Sequence, residues 1–272
     1  VGYRPVNQRP DGFSATDSVA KVGCRVTLVF RNGSAFDGVR HRPGHAVVVV
    51  GDRVAAVLPD DDLAGSGLDL SGAREVDLAG GLVLPGFVDA HVHPVQGGLE
   101  RIRCDLSEAG TREEYLRLVG EYAAAHPELP WITGGGWAMA AFPGGTPTAA
   151  DLDAVVPDRP VFLPNRDHHG AWVNTRAMEI AGIGPDSPDP AHGRFERDAE
   201  GRPTGTLHEG AMAVVSRHCP PTDAEEYYRG LLAGQRHLHA LGVTAWQDAI
   251  LARTPAPTTP RRPTCARWRT AT

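Results

Sequence analysis

Gly81-Leu82-Val83-Leu84-Pro85-Gly86-Phe87-Val88-Asp89-Ala90-His91-Val92-His93-Pro94 is the stretch on which the reading of this chain turns. It reads as a buried strand, a Pro-Gly break, a second apolar run and two histidines one residue apart. In extended backbone alternate side chains point the same way, so Asp89, His91 and His93 share one face. Two imidazoles leaving a strand end together are a natural divalent-metal pair. A carboxylate two residues earlier can orient one of them from behind. With twelve histidines in the chain, one His-x-His would arise by chance. The apolar strand before it, the proline after it and Asp89 in phase favour the metal reading.

The rest of the sequence sets limits. A hydrophobic fraction of 41% over 272 residues supports one large or two small domains. A net charge of -6 argues against nucleic-acid or anionic-membrane partners. No apolar run is long enough to span a bilayer. No secretory signal is evident at the start. The four cysteines lie far apart and form no Cys-x-x-Cys, which suits a reducing cytoplasm. Lys21 is the one lysine among 27 basic residues.

Read in order, residues 1–25 are polar and aperiodic, as expected of a disordered leader. Residues 26–80 hold short alternating strands at 26–30, 46–50, 53–58 and 74–78 around Gly turns, with loop over 60–72, and predict a small β-sandwich segment. From 81 to 250 strands and helices alternate, which predicts an α/β class with a parallel sheet. Thr111-Arg-Glu-Glu114 predicts a capped helix start, and residues 171–181 and 222–241 read as helices closed by Gly182 and Gly242. Gly134-Gly135-Gly136 lacks a following Lys-Ser/Thr, so it predicts close approach of a neighbouring element or of substrate rather than a phosphate loop. Polar strand ends at His91/His93, Asp167 to His169, His208/Glu209 and Asp248 match chemistry at the C-terminal mouth of a barrel. Residues 251–272 are rich in Arg, Pro and Thr, and predict a disordered tail.

The Pro-Gly-Phe-Val-Asp-x-His-x-His block resembles the first barrel strand of the metal-dependent amidohydrolase superfamily. Further blocks resemble its family 3: Gly136-Trp137, Pro147-Thr148, Pro157-Asp158-Arg159-Pro160-Val161, Asp167-His168-His169-Gly-Ala-Trp172-Val-Asn174, Gly201-Arg-Pro-Thr-Gly205-Thr-Leu-His-Glu209 and Leu241-Gly242-Val-Thr244. They run from about Leu28 to Ala249. The resemblance implies an incomplete TIM-type (β/α) barrel preceded by the β-sandwich segment. It also implies hydrolysis of a non-peptide carbon–nitrogen bond in a small-molecule amide or formamide, with a divalent metal, zinc being the expected one. His91 and His93 would ligate it. Some members use a carboxylated lysine as a bridge. Lys21 lies in the leader, so Glu209 is the candidate here, with a solvent-facing or helix-start glutamate as the alternative. His169 would hydrogen-bond the substrate carbonyl or oxyanion, or else pack on Trp172. Trp137 and Trp172 are the candidate substrate contacts. One departure is His168, where the family usually has Gly. Later histidines and an aspartate of the family have no counterpart before Ala249. The sequence therefore predicts a chain that is not a competent hydrolase as written; a different class, a non-catalytic fragment binding metal or partners weakly, stays open.

Overall fold

β-branched runs punctuated by Asn and Gly turns make the first part of the chain strand-rich. The computed structural model describes residues 26–249, and these fall into two compact units that meet in sequence between Pro85 and Gly86. The expected leader and the tail from 251 onward lie outside the described residues, as do Lys21 and Ile250.

The first unit contains β1 (Thr27–Arg31), β2 (Ser34–Phe36), β3 (His41–Pro43), β4 (His45–Val50), β5 (Arg53–Pro59), β6 (Arg74–Asp77) and β7 (Leu82–Val83). They form a four-stranded sheet in the order β5-β4-β1-β6 and a three-stranded sheet in the order β3-β2-β7. Asn32 makes the turn after β1 at φ 58°, a conformation Asn tolerates better than most residues. Val29, Ala46 and Val48 are buried with Leu63, and Leu68 and Leu70 pack on them. The stretch 60–72, expected as plain loop, thus carries a 3-10 turn over Asp60–Gly65 and supplies core to the four-stranded sheet. Its aspartate-rich sequence hides that role, because only the spaced leucines face inward.

The second unit starts with β8 (Phe87–Val92) and α1 (Pro94–Ile102). It continues through β9 (Cys104–Asp105), α2 (Arg112–Ala125), β10 (Ile132–Gly135), α3 (Ala149–Asp153), β11 (Val161–Pro164) and β12 (Gly170–Val173). Then come α4 (Thr175–Ala181), β13 (Gly193–Arg197), β14 (Pro203–Glu209), α5 (Met212–Ser216), α6 (Ala224–Ala240) and β15 (Val243–Asp248). The capping box at Thr111 and Glu114 forms as expected, and Gly182 closes α4 in the left-handed conformation at φ 70°. The helix expected over 171–181 begins only at Thr175, with Asn174 as its cap; Gly170–Val173 is a strand. A short apolar run does not by itself separate these two states.

The topology corrects the larger expectation. β15 pairs in parallel with β8, and among the described residues these two make a sheet of their own. The other strands form a separate sheet in the order β13-β14-β12-β11-β10-β9. It is parallel from β9 to β11 and antiparallel from β11 to β13. The strand ends at 167–169 and 208–209 are therefore not parallel barrel strands; that the described strands close no barrel agrees with the incomplete one expected. That sheet is inserted between α1 and α6, which pack on each other beside the β8–β15 pair. The crossing of the two helices depends on glycine. A Cβ on Gly98 would lie 1.8 Å from the Gly230 carbonyl oxygen, and one on Gly234 would lie 2.1 Å from that of Pro94. Arg103 then ties the end of α1 to the start of α6 through Glu226 at 2.7 Å and Thr222 at 2.8 Å.

One core of the inserted sheet gathers Tyr115, Leu163, Trp137, Phe142 and Trp172. The stretch before the Pro-Gly break, read as a buried strand, is not buried: Leu82 is 49% and Leu84 40% exposed, and in the second apolar run Phe87 is 53% and Val88 73% exposed. No helix among the described residues is long and apolar enough to cross a membrane.

Candidate active site

His91 and His93 stand next to each other, their ring centroids 5.2 Å apart and their planes at 70°. The strand ends at Val92, so His93 is already the residue before α1, with Pro94 in the first turn. His91 is exposed. His93 is half-buried, and its Nδ1 is shielded from solvent with no hydrogen-bond partner. An orphaned buried ring nitrogen is costly unless something binds it. The pair thus fits two positions of a metal centre. Among the described residues no group of three His, Cys, Asp or Glu side chains is placed to hold one ion. Asp89 does not orient an imidazole. Its Oδ1 accepts from the backbone N–H of His91 at 3.0 Å, a local turn contact that short carboxylates favour.

His93 lines a cavity of about 220 Å³ together with Glu100, Arg101, Asp105, Ser107 and His237. Ser107 Oγ is also buried without a partner. The sequence offered no reason to join His237 to His93, since the two are 144 positions apart and only the α1–α6 crossing unites them.

His169 and Glu209 occupy a second cleft, of about 250 Å³, that shares no lining residue with the first. They meet because β12 and β14 are antiparallel neighbours with Gly170 opposite His208. The Glu209 N–H donates to the His169 carbonyl at 3.0 Å, and the His169 Nδ1 lies 2.8 Å from Glu209 Oε1. Glu209 is thus paired with His169 and forms no ligand group with His91 and His93. It sits at φ 51° on the exposed rim, where its carboxylate reaches across to the neighbouring strand.

The two tryptophans are placed in the core. Trp137 is 1% and Trp172 0% exposed, and their indole N–H groups already donate to the carbonyls of Leu163 and Thr148. Trp137 forms part of the wall of the second cleft, whereas Trp172 packs against Trp137 and Phe142. Neither offers a free ring face for a ligand.

At this cleft His208 gains a partner the sequence did not single out, Glu196, itself paired with Arg194. His208 Nε2 lies 2.9 Å from Glu196 Oε2, and Arg194 donates to the same oxygen at 2.5 Å. Partial burial pushes the Glu196 carboxyl up, but the bonds from Arg194 and His208 outweigh it and hold the group below its ordinary value. Arg194 and Glu196 alternate on β13 and face His208 on β14, a pattern visible only once residues 193–197 are known to be a strand.

The turn carrying His169 is fixed from within. The buried Asn165 accepts from the Gly170 N–H at 3.0 Å, and Asp167 accepts from the His169 N–H at 3.1 Å. Asn174 accepts from Val161 and Ala177 and donates to Val156 and Arg159, so its polar atoms serve the fold. Asp167 thus fixes a local turn and Asn174 a helix start.

Sequence comparison assigns the family: the signature of the amidohydrolase family matches residues 74–256, and the chain belongs to that family. The match starts later than Leu28 and runs past Ala249. The N-substituted formamide deformylase of Arthrobacter pascens is 33% identical over 179 residues, 65% of this chain and 33% of that protein. The exoenzymes regulatory protein AepA of Pectobacterium carotovorum subsp. carotovorum is 31% identical over 227 residues, 81% of this chain and 49% of that protein. The chain thus spans about a third to a half of these relatives. Among solved structures, an uncharacterized metal-dependent hydrolase from Pyrococcus furiosus shares 26% identity, covering 81% of this chain and 43% of that one at a TM-score of 0.49.

Proposed function

We propose that this chain carries part of the active site of a metal-dependent hydrolase that cleaves a non-peptide carbon–nitrogen bond in a small molecule, an N-substituted amide or formamide. The observation that carries this reading is the His91/His93 pair, with the His93 Nδ1 buried and unpartnered. Membership of the amidohydrolase family and the similarity to a formamide deformylase support it. A divalent metal, zinc for preference, would supply carbonyl polarisation and a lowered pKa for bound water. His91 and His93 would hold it. His169 keeps its ring in one orientation through Glu209. An ionised carboxylate only accepts, so the shared proton sits on Nδ1, and the neutral ring presents Nε2 as an acceptor. In that state His169 takes a proton; it donates to an oxyanion only once protonated.

With two donors from the described residues, metal binding is expected to be weaker than at a closed four-ligand site. Metal analysis of the purified chain after zinc loading and dialysis tests the pair. The wild type retains zinc and the His91→Ala/His93→Ala double variant does not. Equal zinc in both would refute the assignment. Turnover of an N-substituted formamide by the same preparations tests the reaction class separately.

A further inference from the structure

Adjacent histidines in the 165–169 turn face opposite partners. His169 reaches Glu209 in its cleft, whereas His168 reaches α1. The His168 Nδ1 lies 2.7 Å from Gln96 Nε2, and its Nε2 lies 3.0 Å from Glu100 Oε1. Gln96 and Glu100 are one helical turn apart, so both bonds fall on a single face of α1. The neutral ring satisfies the pair: Gln96 donates to Nδ1, and Nε2–H donates to the Glu100 carboxylate. His168 holds φ 62°, a conformation that favours glycine and is costly for a residue with a Cβ. Room for the carboxylate comes from the triple glycine. A Cβ on Gly135 would stand 3.1 Å from Glu100 Oε1 and 2.8 Å from the Pro164 carbonyl oxygen. Three elements therefore meet here: α1, which starts at the His93 end of the metal pair, the glycine end of β10, and the turn that presents His169.

We propose that His168, Gln96 and Glu100 form a latch that fixes the His169 turn on the helix leading from His93, which makes His168 a positioning residue for the site. The role assigned to His169 rests on the proposed function; the latch itself does not. Hydrogen exchange of the full chain, read by mass spectrometry, tests it without turnover. His168→Gly suits the backbone conformation and removes only the ring, and Glu100→Ala probes the latch from outside the turn. In both, amides of residues 166–170 and 95–101 are expected to exchange roughly 10-fold faster, with β14 unchanged. Glu100→Gln keeps an acceptor oxygen and is expected to retain most of the protection. Unchanged exchange in the turn and helix, or equal acceleration throughout the inserted sheet, would overturn the latch. Where the wild type turns over an N-substituted formamide, His168→Gly is expected to lower kcat about 10-fold with little change in KM, because misplacement is felt at the reacting atoms. Full kcat in His168→Gly would overturn the positioning role. In a wild type without turnover, as the sequence predicts, the exchange result alone decides the latch.

Discussion

His168 is also where stability should respond to pH. The hydrogen bond to the Glu100 carboxylate raises its imidazole above the ordinary histidine value, against the opposing effect of partial burial; Asp167 adds to the rise. A group raised in the folded state contributes stability that is complete below its unfolded pKa and is lost as pH rises through its folded pKa. Protonation asks one rearrangement of the latch: Gln96 must turn its carboxamide over to present oxygen to Nδ1. The urea midpoint of the wild type, relative to His168→Gly, is therefore expected to fall as pH rises from about 6 to about 8. Other titrating groups cancel in that difference. A difference that stays flat across this range would show that His168 does not gain its proton preference from Glu100.

At the scale of elements, the crossing of α1 and α6 makes the sharpest demand on sequence. Gly98→Ala puts a methyl group where the Gly230 carbonyl oxygen already is, so the helices must part. Overpacking of this kind costs about 1–3 kcal/mol, more than the roughly 1 kcal/mol that alanine returns as a better helix former. The denaturation midpoint should fall, and the zinc retained at His91/His93 should fall with it, because α1 begins one residue after His93. Much of this architecture was legible beforehand. The capping box at Thr111, the left-handed Gly182 and the β15 strand are local signals, and each formed where its residues predicted it. What escaped was non-local. Gly170-Ala171-Trp172-Val173 contains nothing that says whether it continues the helix after Asn174 or pairs with Pro164 and its neighbours. β13 hides in a Pro- and Asp-rich stretch because one face of it pairs through charges. The candidate site suffered in the same way: the His91/His93 pair is a contiguous motif, whereas the partner of Glu209 depends on which strands lie side by side.

For the whole molecule, the β8–β15 pair is poorly covered among the described residues. Phe87 and Val88 are open to solvent on a strand whose described partner lies on one side. Apolar side chains beside an open strand edge promote association. Light scattering of the purified chain is expected to rise with concentration, and Val88→Lys should reduce that rise without changing the unfolding free energy by more than about 0.5 kcal/mol, since an exposed position carries little stability. Scattering that ignores Val88→Lys would place the sticky surface elsewhere.

The clasp of Arg103 on Thr222 and Glu226 has a consequence for how such a chain can change over time. It brings together two residues separated by 119 positions, so the whole inserted sheet leaves the helix pair and returns to it at one spot. Everything between reads as a cassette whose two ends meet at this clasp. Its turns can lengthen, shorten or be exchanged while the β8–β15 pairing and the histidine pair keep their register. Under the proposed function, His169 in the cassette can then change independently of the His91/His93 pair in the mount, with the His168 contact on α1 as the second fastening that keeps the two in step.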